Sequence, residues 1–235
     1  MQYVMLVRVD PELAATTATD DVEPWVEEGA RRGLRVQGAP VEDPEAATTV
    51  RVREGEVLLS DGPFAETKEV VAGYDLLEAP DLATAVDYAT RHPVAAIGAL
   101  EVREVWEDFV APREAPAREP RTDGRDYLFL HVPDPEVYRR LANERLDPTE
   151  WVRRVEDEGV TLGGARLRDE ADASATVRSR DGEVLVTRGP FAELGEQIAG
   201  IDLVRAADLD EAIALAAAHP TSIIGAIEVR PFPAR

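Results

Sequence analysis

The sequence predicts an α+β protein built from two copies of one small domain. Two observations support this prediction: a long internal repeat, and the same order of predicted strands and helices in each copy. Residues 49–66 read TVRVREGEVLLSDGPFAE, and residues 176–193 read TVRSRDGEVLVTRGPFAE. Because so many matches in one order do not arise by chance, we interpret the chain as a tandem duplication.

Alternation of apolar and polar residues defines the predicted elements of each copy. In copy one they are a strand at residues 3–9, a helix at 24–32, a hairpin that turns at 53–56, a strand at 73–78, a helix after Asp81 and a strand at 98–105. In copy two they are a strand at 127–132, a helix at 148–158, a hairpin that turns at 180–183, a strand at 200–205, a helix after Asp208 and a strand at 225–230.

Turn and cap residues mark the ends of these elements. Gly33 ends the first helix, and the Asp-Gly step in the hairpin of copy two is a strong signal for a two-residue turn. Asp81 is well placed to cap the second helix, which the His92-Pro93 step ends. The Gly-Pro-Phe segment after each hairpin is predicted to be a loop, because proline cannot donate to a strand ladder.

This element order is typical of a ferredoxin-like α+β unit, whose helices cover one face of the sheet. The other face must also be buried, and the second copy can cover it. We therefore predict two ferredoxin-like domains that form an intramolecular pseudo-dimeric α+β barrel. The domains are expected at residues 1–108 and 125–235, joined by a Pro-rich linker at residues 109–124.

Charge and composition exclude several classes of protein. The formal net charge of −21 argues against nucleic acid as a partner, because phosphate binding needs a basic surface, and against an anionic membrane. The chain has no cysteine, which excludes disulfides and thiolate chemistry. No apolar run approaches the ~18 residues of a membrane-spanning helix, and no signal peptide is recognisable, so a cytoplasmic protein is expected.

The histidines give no metal signal in the sequence. The chain has three, His92, His131 and His219, and their positions match no recognised ligand spacing. His131 stands at a position where copy one has the apolar Val7, so we interpret it as incidental. Neither a metal site nor a cofactor is expected.

The segment DGPFAETKE at residues 61–69 resembles the YCII-related family, specifically its DGPF branch. The resemblance extends over both copies and leaves out only the linker. It implies a dimeric α+β barrel in which tandem members are fused dimers, so we expect a monomer holding the fused pair or a higher homo-oligomer. It also implies small-molecule binding with lyase- or isomerase-like chemistry in some relatives, and a regulatory context near alternative sigma factors.

One departure from the family pattern concerns catalysis. The resemblance implies a histidine in the first helix and an aspartate near the end of the second in members suspected of catalysis. Here the first helices contain Trp25 and Trp151 but no histidine, and His92 and His219 stand at the ends of the second helices. The suspected dyad is therefore absent as such.

Three residues are candidates for catalysis: Asp61, Glu66 and His92. His92 suits a general base near neutral pH, but it equally suits a hydrogen bond to the carbonyl groups at a helix end. Glu66, like Glu193 in copy two, could act in acid–base chemistry or bind loop amides. Both alternatives stay open at this point.

Ligand-binding candidates come from the same segments and their repeats. They are Phe64, Tyr74, Asp75, Arg51, Glu193 and His219. Arg51 and its repeat Arg178, like Arg103 and its repeat Arg230, could bind an anionic ligand or pair with local carboxylates.

Copy one keeps the family motif whole, whereas copy two has Arg188 in place of Asp61 and Ile201 in place of Tyr74. We therefore expect copy one to supply any polar site. The predicted function is the binding of a small molecule, with or without lyase- or isomerase-like turnover. The alternative is a noncatalytic regulatory interaction module, for example one associated with an alternative sigma factor.

Overall fold

The computed structural model describes residues 1–64, 68–106, 121–137, 148–168, 170–191 and 197–234. The strands are β1 (Gln2–Val9), β2 (Arg35–Pro40), β3 (Thr48–Arg53), β4 (Glu56–Asp61), β5 (Val70–Glu78), β6 (Gly98–Glu104), β7 (Arg125–Pro133), β8 (Thr161–Arg166), β9 (Ser174–Arg180), β10 (Glu183–Arg188), β11 (Gly200–Ala206) and β12 (Gly225–Pro231). The helices are α1 (Pro11–Thr16), α2 (Glu23–Arg32), α3 (Leu82–Ala89), α4 (Thr149–Asp157), α5 (Leu209–Ala218) and α6 (Pro220–Ile224), with 3₁₀ turns at Pro44–Ala46 and Pro93–Ala96.

The described residues divide into two compact units, each with its own antiparallel six-stranded sheet. Unit one comprises described residues of 1–40, 66–108 and 167–195, and its strand order is β10-β9-β6-β1-β5-β2. Unit two comprises described residues of 41–65, 109–166 and 196–235, and its strand order is β4-β3-β12-β7-β11-β8. Neither unit is continuous in sequence.

The discontinuity arises because the two copies exchange their hairpins. The β9–β10 hairpin of copy two pairs with β6 of copy one, with Leu100 opposite Val177. The β3–β4 hairpin of copy one pairs with β12 of copy two, with Ile227 opposite Val50. Each sheet is thus completed by two strands of the other copy.

The turns and caps predicted from the sequence are present. Glu54 and Gly55 have φ values of 53° and 84°, as a two-residue hairpin turn with two left-handed residues requires. Asp81 accepts a hydrogen bond from the amide of Thr84 at 2.8 Å and caps α3. Gly33, with φ 65°, ends α2. Copy two repeats each of these features.

One face of the unit-one sheet forms a core with α2 and α3. Trp25 of α2 stacks on Tyr88 of α3 with 4.3 Å between ring centroids. The indole Nε1 donates to the Tyr88 carbonyl at 3.0 Å, and the Tyr88 hydroxyl donates to the Trp25 carbonyl at 2.7 Å. In unit two, Trp151 donates to the carbonyl of Leu215 in the same way, at 2.9 Å. Both large aromatic residues are therefore buried with their polar atoms satisfied.

The structure confirms the α+β class and the tandem repeat. It adds α1, which the sequence analysis did not predict and which Asp10 caps by accepting from the amides of Glu12 and Leu13. Closure of a barrel concerns the packing of the two units and stays a prediction. Within the described residues, no helix has the length and apolar composition needed to cross a membrane.

We predict that Gly98→Ala and Gly225→Ala each lower the free energy of unfolding by about 1–3 kcal/mol, because a methyl group would overpack a strand interface. A Cβ at Gly98 would lie 1.9 Å from the Arg8 carbonyl oxygen, and one at Gly225 would lie 2.0 Å from that of Val132. Chemical denaturation measures the loss. Ser60→Ala, on the exposed strand β4, is the control, and an equally small effect at all three positions would contradict the prediction.

Candidate functional site

Charged side chains occupy the face of the unit-one sheet that lies opposite α2 and α3. Leu100 and Val102 of β6 pack in the core with the helices. Because side chains alternate along a strand, Glu101 and Arg103 point to the other face. Arg8, which follows the core residue Val7 on the neighbouring strand, joins them there.

Arg8, Glu101 and Arg103 form a buried ionic triad. Arg8 Nη2 and Nε lie 2.8 and 3.1 Å from Glu101 Oε2, and Arg103 Nη1 lies 3.1 Å from Glu101 Oε1. All three residues are at most 2% exposed. Burial alone would raise the pKa of Glu101, but the two guanidinium groups outweigh it and lower the pKa. Glu101 is therefore ionised, and the triad carries one net positive charge.

The Gly-Pro-Phe segment of copy two lies beside this triad. The ring of Phe191 is buried, and the guanidinium carbons of Arg8 and Arg178 lie 4.6 and 5.0 Å from its centroid. Both distances are within the range of cation–π attraction. The hairpin exchange thus places an aromatic residue of the copy-two motif against an arginine of copy one.

Glu69 of the copy-one motif extends the cluster. Its carboxylate accepts from Arg178 at 2.9 and 3.3 Å and from Arg180 at 3.4 Å. Arg178 and Arg180 have 24% and 32% of their side chains exposed, whereas Glu69 has 8%. The described part of the cluster therefore has its most accessible charges on the two arginines of β9.

The corresponding face of unit two is built differently. Glu228 Oε1 lies 3.0 Å from Arg230 Nη1, as Glu101 lies near Arg103 in unit one. Val132 stands where unit one has Arg8, and the backbone amide of Phe64 donates to Glu228 Oε2 at 3.1 Å. A backbone dipole in unit two thus takes the place of a full positive charge in unit one.

Comparison with known proteins identifies the repeated domain. The family model of the YCII-related domain matches residues 1–108 and again residues 126–232.

The chain belongs to the YCII-related family.

It is a tandem member with two YCII-related domains. An uncharacterized protein of Rhizobium meliloti (strain 1021) is 40% identical over 85 residues, which is 34% of this chain and 67% of the relative. Its name gives no activity. Assignment to the DGPF branch within the YCII-related family stays a prediction.

The hairpin exchange divides each YCII motif between the two units. Asp61 and Phe64 of copy one belong to unit two, whereas Lys68 and Glu69 belong to unit one. The motif residues of copy one, which were expected to supply one polar site, are therefore divided between the two units. Asp61 is exposed at the end of β4, and Glu66 and Glu193 lie outside the described residues.

The remaining candidates lie in ordered secondary structure. Arg51 is half-buried on β3 of unit two, and Tyr74 is buried on β5 of unit one. Asp75 is buried beside Arg35, with 2.6 Å between Asp75 Oδ1 and Arg35 Nε. Burial outweighs the attraction of Arg35 and raises the pKa of Asp75 to about 6. Asp75 therefore combines an ion pair with a carboxyl group that titrates close to neutrality.

The two repeated histidines act as caps in this YCII-related protein. His92 Nδ1 accepts from the amide of Val94, and His219 Nδ1 accepts from that of Thr221, both at 3.1 Å. One prediction from the sequence was a bond from each ring to the carbonyl groups of the preceding helix. In the structure each ring instead accepts a bond at the start of the turn or helix that follows. Burial lowers the pKa of His92 to about 4, with a smaller contribution from Arg35, so the ring is neutral at pH 7.

Sequence reasoning missed Arg8 and Glu101 as parts of the charged cluster. The signal was present in the repeated Glu-Val-Arg segments at residues 101–103 and 228–230, because charged residues repeated inside a buried strand require partners.

A second cluster contains side chains of the kinds that bind metal ions. Among the described residues, His131, Asp202 and His219 form one such group, with ligand atoms within 4.8 Å of one another.

We predict that His92→Asn weakens the loss of stability on acidification. The folded-state pKa of His92 lies below its unfolded value of 6.5, so the neutral ring stabilises the fold above pH 6.5. This contribution, ~3 kcal/mol from the pKa difference, is lost as the pH falls from 6.5 to about 4.

Asparagine keeps a cap acceptor for the Val94 amide but does not titrate in this range. Urea denaturation of the wild type and of His92→Asn at several pH values measures the difference in slope. Identical slopes between pH 4 and 6.5 would contradict the assigned role of His92.

Proposed function

We propose that this YCII-related protein binds a small organic anion at the charged cluster of unit one. The supporting observation is the pair of partly exposed arginines on β9. Arg178 and Arg180 keep 24% and 32% of their side chains exposed, and the Arg178 guanidinium lies over the buried ring of Phe191. A carboxylate ligand would pair with the exposed part of these guanidinium groups.

Differences in exposure indicate which groups would meet the ligand. Arg8 and Arg103 are buried, and the carboxylate of Glu101 binds both. Arg178 and Arg180 keep part of their guanidinium surface exposed. An incoming anion would therefore contact the arginines of β9 first, in front of the buried triad.

Preorganisation supports binding at this position. Arg180 Nη1 donates to the carbonyl groups of Ser179 and Ala95, and Glu69 contacts the guanidinium groups of both Arg178 and Arg180. Side chains already held in place lose little conformational entropy when a ligand binds.

Any anion that binds should then be assayed for lyase or isomerase turnover.

The test is thermal and chemical unfolding against a library of mono-, di- and tricarboxylates, including aromatic ones. A ligand present at 100 times its Kd should raise the free energy of unfolding by ~2.7 kcal/mol. We expect Arg178→Gln to remove this stabilisation, because Arg178 is the more accessible of the two arginines that contact the Phe191 ring.

Arg51→Gln is the matched control, because Arg51 occupies the repeat position of Arg178 in unit two. We expect it to leave the ligand effect intact. If Arg51→Gln abolishes the effect and Arg178→Gln retains it, the site belongs to unit two and the proposal is wrong. The absence of stabilisation by every anion tested would also overturn it.

A second candidate function is that of an interaction module, for example one that binds an alternative sigma factor. The specific observation is a pair of apolar edge strands. β4 and β10 lie at the edges of their sheets, and each presents three consecutive exposed apolar side chains, namely Val57, Leu58 and Leu59, and Val184, Leu185 and Val186. Edge strands usually carry charges that prevent pairing with other chains, so apolar edges favour strand addition by a partner.

The double variant Leu58→Lys/Leu185→Lys tests this second function. If the edges bind a partner, size-exclusion chromatography with light scattering should detect a complex of the wild type with a purified alternative sigma factor, and the double variant should lose it. The control Glu56→Lys/Glu183→Lys alters the charge on the same strands and keeps the apolar triplets. A complex that survives in the lysine variants at positions 58 and 185 would count against the edges as the binding surface.

A further inference from the structure

His131, Asp202 and His219 meet on the helix side of the unit-two sheet. His131 lies on β7, Asp202 on the neighbouring strand β11, and His219 at the end of α5. One ligand atom from each lies within 4.8 Å of the other two. The His131 and His219 rings are 4.4 Å apart between centroids. Two imidazoles and a carboxylate form a donor set that first-row divalent metals favour.

Two buried atoms of this group have no satisfactory hydrogen bond. His131 Nε2 and Asp202 Oδ2 are 2.8 Å apart, yet neither makes a hydrogen bond of acceptable geometry within the described structure. A buried polar atom without a partner requires an explanation, and an ion bound between the two atoms would satisfy both.

Unit one has the same fold but a different set of side chains at the equivalent position, so the fold does not require the His–Asp–His group. Asp75 occupies the place of Asp202 and pairs with Arg35, whereas Thr161 stands at the repeat position of Arg35 in unit two. Val7 occupies the place of His131. At this place copy two therefore has no guanidinium group, which cannot ligate a metal, and has an imidazole, which can.

We propose that His131, Asp202 and His219 bind a first-row divalent metal ion, such as Zn²⁺, in unit two. The set provides three protein ligands and leaves the remaining coordination positions to water or to a small ligand. The site is independent of the anion site proposed in unit one, since the two share no residue.

Metal binding would require one rearrangement at His219. Its Nδ1 now accepts the Thr221 amide at 3.1 Å, which leaves the ring proton on Nε2. If Nε2 ligates the ion, this proton moves to Nδ1 and the bond to Thr221 is lost. Metal binding therefore has a cost, and the affinity is expected to be lower than that of a rigid structural zinc site.

The experiment is titration of the tag-free, chelator-treated full chain with Zn²⁺ and Co²⁺ at pH 7.5. Calorimetry should give one Zn²⁺ per chain, and bound Co²⁺ should show a visible absorption band of a low-coordinate site. Co²⁺ should also quench the fluorescence of Trp151, whose ring contacts His219 edge-on with 4.6 Å between centroids.

His131→Val and Asp202→Asn test the ligands, and valine is the residue that copy one carries at this position. Each should lower the Zn²⁺ affinity more than about tenfold, the least that loss of a supporting contact around a metal costs. His92→Asn removes the one histidine outside the group and should leave binding unchanged. Far-UV circular dichroism of each variant verifies that it is folded.

Two results would overturn the proposal. The first is that the wild type binds no Zn²⁺ at millimolar concentration. The second is that His131→Val binds Zn²⁺ as tightly as the wild type, because the ion would then be bound by surface carboxylates. In either case the His131–Asp202 contact would be a direct approach of the two side chains with no metal ion between them.

Discussion

Both units depend on the pairing of each copy's hairpin with the last strand of the other copy. Without β9 and β10, strand β6 would be an exposed edge of the unit-one sheet, and without β3 and β4 the same would hold for β12. An exposed edge leaves a row of backbone donors and acceptors without partners, which invites aggregation. In a tandem chain this pairing is intramolecular, so it does not depend on protein concentration.

The exchange also determines where charge can be buried. Arg8 and Glu101 come from copy one, whereas Arg178 and Phe191 come from copy two, and strand pairing places them on one sheet face. A buried ion pair is tolerated only when its partners are held in good geometry. The register of β6 against β9 provides that geometry, because it sets Glu101 opposite Thr176 and so fixes the position of Arg178 two residues further on.

Local patterns in the sequence predicted most of the secondary structure, without α1, β2 and β8, but did not predict strand exchange. The Asp-Gly turn, the Asp81 and Asp208 caps and the helix-ending glycines predict element ends, because each acts within a few residues. Helix α1 was not predicted, because Asp10 directly follows the first predicted strand, and in the structure it also caps the helix that comes next. Strand exchange depends on pairing between residues more than 70 positions apart. The alternation of apolar and polar side chains in a hairpin is compatible with either sheet, so it does not show which sheet the hairpin joins.

The candidate sites also could be predicted only as far as their residues lie close together in the sequence. For Arg103 and Arg230 in the last strands, the sequence left open an anionic ligand or pairing with local carboxylates, and it gave no signal for Arg8, which has no repeat in copy two. The sequence interpretation of His131 as incidental is not what the structure shows, since His131 lies beside Asp202 and His219. Separations of 71 and 17 positions between these residues match no linear motif, and only the adjacency of β7, β11 and the end of α5 brings them together.

Duplication within one chain explains how the two units can differ while each keeps its fold. In a dimer of identical chains, a change such as Val7 to histidine would appear in both units at once. In the fused chain, unit one keeps Arg8 with Glu101 and Arg35 with Asp75, and unit two has Val132 and Thr161 at the matching positions. At these two places in unit two, the amide of Phe64 donates to Glu228, and His131 Nε2 lies 2.8 Å from Asp202 Oδ2. The two units thus differ in the partners of their inward-facing carboxylates, while both keep the same strand order.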